Sequence, residues 1–501
     1  MIPDKALHRP GSVACILLLS CGVCAIAVAL HLGGDVVSIG LCGALATVLP
    51  GVVIAQRLKT EGLADPLVLF CTGFVLYHAV LPLRVAMVGG TENLVSVYPV
   101  QFSDPTFVKA GLLSVISALG ISFVALVMPK RTGTHRVLGR AETMTRVIKS
   151  DPAFCAGLAL YALGLGFFYL NTLTLGGLLA FYSLDRAQRY SDLASHVTYP
   201  HQACFLAAFL FFGCAVVSQK SRLKMCASAI ALIAWSTTML LQGDRRTIVN
   251  LAISLLGLYT CLTRRRITLS RRSFAVGLVA AAVLFVFANV RLLIPRVVTR
   301  NMSLSEAVTA SVEDSADFGW LLPERTELAG PYLSILFSTD HSEKQLLGES
   351  YADSLIRLVP RFLYPGERPE SLSVRFSANI QQRYVRGGTT PGWGYSPVAE
   401  AYDNFDFAGV ALIPMMWTAG FLLLSELPSI FRFGPLFFAA LLPQAFNCNR
   451  SDFATLLVES TYTVILLCFG LGILTVTGGT AGSHVRKSAR TDRRVHRPYT
   501  A

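Results

Sequence analysis

Runs of about twenty consecutive apolar residues recur from one end of this chain to the other, and that pattern leaves few folds open. A helix rises about 1.5 Å per residue, so roughly 20 apolar residues cross the ~30 Å hydrocarbon core of a bilayer. Within that core every backbone N–H and C=O must find a partner in the protein, which restricts the chain to helices or a closed barrel. Barrel strands read as short alternating segments, whereas these runs are continuous and rich in Leu, Ala, Val and Gly. The fold class read from the sequence is therefore an all-α polytopic membrane protein. Composition agrees: 53% of the 501 residues are hydrophobic and 15% are charged, against about 25% charged in soluble chains.

Twelve spans are predicted, at roughly 12–32, 35–56, 65–88, 105–128, 152–172, 198–218, 225–242, 248–263, 274–294, 407–428, 434–447 and 453–476. The first run is too long for the apolar region of a cleaved signal peptide, so a retained first span is expected. Lysine and arginine in short loops set orientation. With the N-terminus inside, 25 of the 43 cations fall on inner segments. An even number of spans then returns the basic tail, 477–501, to the inside. The net charge of +13 is accounted for by inner loops facing anionic lipid and calls for no nucleic acid.

Residues 295–406 break the pattern and divide the chain: spans one to nine in 1–294, a large extracytoplasmic loop in 295–406, spans ten to twelve in 407–476. The loop holds 15 of the 30 acidic residues. Long structureless loops are uncommon and usually functional, and this one carries helix signals. Ser303 with Glu306 forms a capping-box pattern. Leu347, Tyr351, Leu355 and Leu358 recur at helical spacing, as do Leu372, Phe376, Ile380 and Tyr384. Another face of that last helix carries Arg375, Asn379, Gln382, Arg383 and Arg386. Two readings stand for it: a solvated face, or a cationic face turned to an anionic ligand. In "GGTTPGWGYSP" (387–397), Ser396 and Pro397 fit an N-cap and first helical position. The helix they start carries Glu400, Tyr402, Asp403 and Asn404. Trp393 and Tyr395 either stack on sugar rings or anchor at the interface.

"LQGDRRT" (241–247) places two arginines at the outer face, where topology gives no reason for them. Arg84, Arg291 and Arg450 lie at outer span ends too. Arginine's planar fork suits phosphate oxygens, so a lipid-linked phosphate or diphosphate is one partner for this group. Internal ion pairs, such as Arg245 with Asp244 or Arg450 with Asp452, are the other. All twelve cysteines lie in or beside apolar runs, and none in 295–406, so no disulfide framework is expected in the outer loop. No metal spacing and no P-loop occurs; neither metal nor cofactor is expected. His341 is the loop's one histidine, and a solvated surface role is its default.

The chain resembles the bacterial oligosaccharide repeat-unit polymerases of the O-antigen type. The resemblance rests on the twelve-span layout with a late outer loop, and on "GDRRT" (243–247), "PRFLYPGERPESL" (360–372) and "GYSPVAEAYDNFDFAGV" (394–410). "NRSDF" (449–453) fits more loosely. Asp406 stands where the pattern leads one to expect glycine. The resemblance implies a metal-independent glycosyltransferase in the bacterial inner membrane. It would move a growing glycan from its polyprenyl diphosphate carrier onto the next lipid-linked unit. Glu400 is then the first candidate base and Asp403 the second. Arg245, Arg246, Arg291, Arg375, Arg383 and Arg450 are candidates for the diphosphate, and Trp393, Tyr395 and Tyr402 for the sugar. The implied partners are the lipid-linked oligosaccharide and membrane lipid, with a chain-length regulator and a flippase as further candidates. Two alternatives remain: an O-antigen ligase, expected to use a loop histidine, and a twelve-span transporter or flippase, expected to show related halves. No repeat relates residues 1–250 to 251–501.

Overall fold

A computed structural model describes residues 35–93, 102–128, 148–178, 192–219, 221–241, 244–263, 328–340, 345–359, 368–384 and 394–478, with single positions between them. Every regular element among the described residues is helical. In chain order these are α1 Asp35–Thr60, α2 Pro66–His78, α3 Val80–Val88, α4 Asp104–Val127, α5 Ser150–Thr174, α6 Asp192–Ser218, α7 Arg222–Leu241 and α8 Arg245–Thr263. There follow α9 Ala329–Asp340, α10 Glu349–Ile356, α11 Leu372–Tyr384, α12 Pro397–Ile430, α13 Gly434–Asn447 and α14 Phe453–Gly478. Among the described residues, nine helical segments are long and apolar enough to cross a membrane.

These nine fall on nine of the predicted spans. Spans 12–32 and 274–294 lie outside the described residues, and the span at 434–447 is the 14-residue helix α13. At 1.5 Å per residue α13 measures only about 21 Å. Predicted span 65–88 is two helices meeting at Ala79. It begins where its sequence says it should: Pro66 occupies the first helical position, and the Asp65 carboxylate accepts from Leu67 N at 2.9 Å and Val68 N at 3.2 Å. Its far end stops at Gly89, whose φ of +84° is the left-handed conformation that glycine reaches without penalty.

Two apolar cores form. One gathers α1–α4 with α9 and α12, around Phe70, Phe74, Leu113, Tyr332 and Val398. The other gathers α5–α8 around Phe205, Phe209, Phe211 and Trp235. Helices α13 and α14 serve both: Ala445 and Leu456 pack into the first, Ala439 and Leu467 into the second.

The regular elements described between the ninth and tenth predicted spans are helices joined by turns. The Ser303 capping box is present: Glu306 N donates to Ser303 Oγ at 3.3 Å, and Ser303 N donates to the Glu306 carboxylate at 2.8 Å. The Ser303 hydroxyl, which donates to the same carboxylate at 2.8 Å, and then Ser303 N hold the exposed Glu306 carboxyl below its usual range. Helix α11 spans the predicted 372–384, and α10 covers 349–356 within the predicted 347–358. Leu347 and Gly348 are not helical; their φ values of +47° and +93° make the turn before α10. Helix α9 was not predicted. It lies almost wholly buried among α2, α4 and α12, its Ser334, Ser338 and Thr339 included, so no polar face marks it in the sequence.

Candidate functional site

The described motif residues meet around one turn, Asn447 to Phe453, between α13 and α14. Asn449 Nδ2 donates to the Phe70 carbonyl at 2.9 Å and fixes the turn against α2. Gly394 lies directly on the turn: a Cβ there would stand 2.6 Å from the Arg450 carbonyl oxygen. Asp452 caps α14, accepting from Thr455 N at 3.1 Å, and its second oxygen accepts from Ser373 N at 3.0 Å. One carboxylate thus ties the last predicted span to helix α11 of the large loop.

Helix α12 opens as its sequence predicts, with the Ser396 hydroxyl accepting from Val398 N at 3.0 Å and Pro397 in the first position. It breaks at Phe405 and Asp406, which leave helical geometry, so Pro397–Asn404 is a short helix set before the apolar run. It packs beside the first turns of α4, where Lys109 Nζ sits 5.2 Å from the Tyr402 ring centre. Asp406 has φ +53° and ψ −147°, a region that is essentially glycine's. Asp406, which stands where a glycine was expected, therefore occupies a conformation that glycine favours. Its carboxylate accepts from Phe407 N at 2.9 Å and caps the second half of the helix.

Glu400 is 1% exposed. Both of its oxygens meet donors: Oε1 accepts from Ser350 Oγ at 2.9 Å, and Oε2 from Phe453 N, at the start of α14, at 2.8 Å. Asn404 Nδ2 donates to Ser350 Oγ at 2.8 Å and to the Glu400 carbonyl at 2.7 Å. Its Oδ1 accepts from Gly348 N at 3.0 Å. Burying a carboxyl is costly without such partners. Glu400 and Asp452 form the floor of a narrow cleft, with Ser350, Asp353, Arg357 and Arg375 in its walls. Arg375 faces Asp353 at 3.8 Å and Arg357 donates to the Pro369 carbonyl at 2.9 Å. Tyr351 stands beside this cleft, its ring parallel to Phe405 and against Phe453. Its buried hydroxyl has no hydrogen-bond partner among the described residues. Burial first, then the neighbouring Glu400 charge, raises its phenol and keeps it a proton donor.

Asp403 points elsewhere. It accepts from Tyr395 Oη and from Ser338 Oγ (3.0 Å), while its carbonyl accepts from Leu346 N at 2.9 Å. Tyr395 and Tyr402 are 3% and 7% exposed, and burial with the Asp403 charge raises the Tyr395 phenol. Both rings are engaged within their own chain. Trp393, Arg291 and His341 lie outside the described residues, as does the side chain of Arg383.

The paired arginines divide. Arg246 reaches Glu459 on α14 at 2.8 Å and Asn447 Oδ1 at 3.3 Å, and Asn447 in turn donates to Asn250 at 2.9 Å. Asp244 accepts from Thr247 Oγ1 at 2.6 Å and Gln202 Nε2 at 2.7 Å, acting as the cap of α8. Arg245 makes no ion pair or hydrogen bond with its side chain among the described residues. Arg450 lies over the Tyr77 ring at 5.9 Å, with its guanidinium 3.5 Å from Tyr77 Oη.

Ser350, Arg357 and Glu459 belong to this arrangement and were not singled out from the sequence; Tyr351 was read only as part of a helical repeat. Ser350 and Arg357 sit on a short loop helix with no motif around them, and Glu459 is a single acid in an apolar run. An acid inside a predicted span marks a functional or paired position, and that was the one available signal. Among the described residues no group of three or more His, Cys, Asp or Glu side chains is placed to hold a metal ion.

No family model, curated protein or solved structure matches the chain. Its class follows from architecture: an all-helical protein whose long apolar helices place it with membrane proteins, carrying a buried polar site where its loop helices meet two of them.

Proposed function

We propose that this chain polymerises polyprenyl-diphosphate-linked oligosaccharide repeat units at the outer face of the bacterial cytoplasmic membrane. In this reading it has twelve spans, both termini inside, and 295–406 outside. One observation carries it. Residues of the four motifs that mark the resemblance, lying at 243–247, 360–372, 394–410 and 449–453, gather around the Asn447–Phe453 turn through Arg246, Leu372, Gly394, Glu400 and Asp452.

The reaction needs a base for the acceptor hydroxyl and cations for the leaving group. The acceptor oxygen attacks the anomeric carbon, the bond to the diphosphate breaks, and the acceptor's proton passes to Glu400, which lines the cleft. Asp403, already held by Tyr395 and Ser338, is second to it. The departing diphosphate takes the negative charge, and Arg245, with no partner of its own among the described residues, is the first arginine to meet it. Tyr351 supplies a further donor beside Glu400.

Glu400→Gln keeps two hydrogen-bonding positions on the side chain and removes the base. Normal membrane levels with single repeat units in place of long chains are expected; wild-type chain lengths would remove Glu400 from the chemistry. Arg245→Lys replaces a fork with a point charge. Losing one charge-assisted bond of about 1.5–3 kcal/mol slows transfer roughly ten- to a hundred-fold, read as shorter glycan at matched protein level. Reporter fusions after Arg140 and Arg266 should read cytoplasmic, and one after Glu343 external.

A further inference from the structure

Helix α7 packs closely on α5 and α6 along its C-terminal half. Trp235 packs 5.4 Å from Phe209 and 6.0 Å from Phe205, and Tyr161 donates to the Ala231 carbonyl at 3.3 Å. Toward its N-terminus α7 parts from α6 and α8. A groove with a cavity volume of about 350 Å³ results, open on one side and lined by Phe212 and Val216 of α6, Met225 and Leu232 of α7, and Leu258 and Leu262 of α8. That volume falls in the range of ligand sites, roughly 300–1,000 Å³. The walls are apolar apart from the edges of Tyr259 and the hydroxyl of Ser228, which has no partner among the described residues.

Two cations stand at the same end of the antiparallel pair α7 and α8: Arg222 begins α7, and Arg265 lies two residues past α8. Arg222 precedes Met225 and Ala229 by three and seven residues, so it shares their helix face. Arg265 follows Leu262 by three residues. Both are exposed, and neither guanidinium has an ion pair or hydrogen bond among the described residues. Nearby Lys224 is already bound to Asp151 and, at 2.8 Å, to Ser150 Oγ. An apolar slot between spanning helices with unpaired cations at one end of those helices has the chemistry of an anionic lipid site.

We propose that this groove binds an anionic phospholipid, one acyl chain lying between α6, α7 and α8 and its phosphate between Arg222 and Arg265. The donor lipid of the proposed reaction does not suit it. Helix α8 separates Arg265 from Arg245 by 19 residues of helix, about 28 Å, which puts the two head-group positions at opposite membrane faces. The phospholipid completes the packing of α7, of whose apolar window only 17% is buried in the protein.

The test is lipid retention, which does not depend on the enzymatic reading. Protein reconstituted in equal phosphatidylglycerol and phosphatidylcholine is released into mild detergent, and bound lipid is counted by native mass spectrometry. Wild type should keep one phosphatidylglycerol per chain, at least fivefold over phosphatidylcholine. The double variant Arg222→Gln with Arg265→Gln changes two exposed side chains, so the fold survives; its preference should fall to near unity. Ala229→Trp, which fills the groove, should lose the bound lipid altogether. Equal retention of the two lipids by wild type, or a preference that survives the double glutamine variant, would overturn the proposal.

Discussion

The two apolar cores use the same side chains and carry different polar loads. The core around Phe205, Phe209 and Trp235 is made of long helices packed ring against ring. The core around Phe70, Phe74 and Tyr332 takes in short helices from the large loop, and beside it lie Glu400, Asn404, Asn449 and Asp452, all buried. The difference lies in the backbone. A continuous helix spends its N–H groups on itself, and a buried carboxyl beside it finds no donor. Interrupted helices expose donors: Phe453 N and Ser373 N come from helix starts and Gly348 N from a turn, and each meets a carboxylate or amide. The buried polar site is held where helices end.

The largest expected effect tests the junction between the cores. Glu459→Leu strands Arg246, whose side chain is 17% exposed. Breaking such a pair costs roughly 3–5 kcal/mol, so the melting temperature in detergent should drop sharply. The double change Arg246→Met with Glu459→Leu should recover most of that loss. A double variant as unstable as the single one would show that Arg246 matters to the fold through something other than Glu459.

Next comes a pair of glycines, one from each core. A Cβ at Gly157 would stand 2.6 Å from the Phe212 ring, and one at Gly73 2.6 Å from Asn449 Nδ2. Overpacking costs roughly 1–3 kcal/mol in either place. Gly157→Ala should lower stability and leave glycan length intact per folded molecule. Gly73→Ala pushes on the Asn447–Phe453 turn and should shorten the glycan as well. Equal glycan lengths in the two variants would mean that the turn is scaffold alone.

The smallest effects are conformational. Asp406→Gly relieves a strain of roughly 1–3 kcal/mol and gives up one capping bond of about 1 kcal/mol, so a net gain of about 1 kcal/mol is expected in thermal or denaturant melts. Asp406→Ala keeps the strain and loses the cap, and should be the less stable of the two. Tyr161→Phe removes the bond to Ala231 from the aromatic core and should cost about 1 kcal/mol or less.

What the sequence determined by itself is local. Apolar runs of spanning length mark helices because each helix satisfies its own backbone within the segment. Ser396–Pro397 and the Ser303 box mark helix starts because a cap and the N–H it satisfies lie within three residues. Nine of the predicted spans and helix α11 were legible for these reasons. Helix α9 was not: apolar and polar residues alike, Ser334 and Ser338 included, are buried in it, so polarity leaves no period to read. The site was legible as residues and illegible as an arrangement. Glu400 and Asp452 stood out, but Phe453 lies 53 residues from Glu400, Ser373 79 from Asp452, and Glu459 213 from Arg246. Contacts at those separations leave no periodic trace, because they are set by how whole helices pack and where they end. Which of two adjacent arginines pairs internally, and which carboxylate lines the cleft, only the tertiary structure decided.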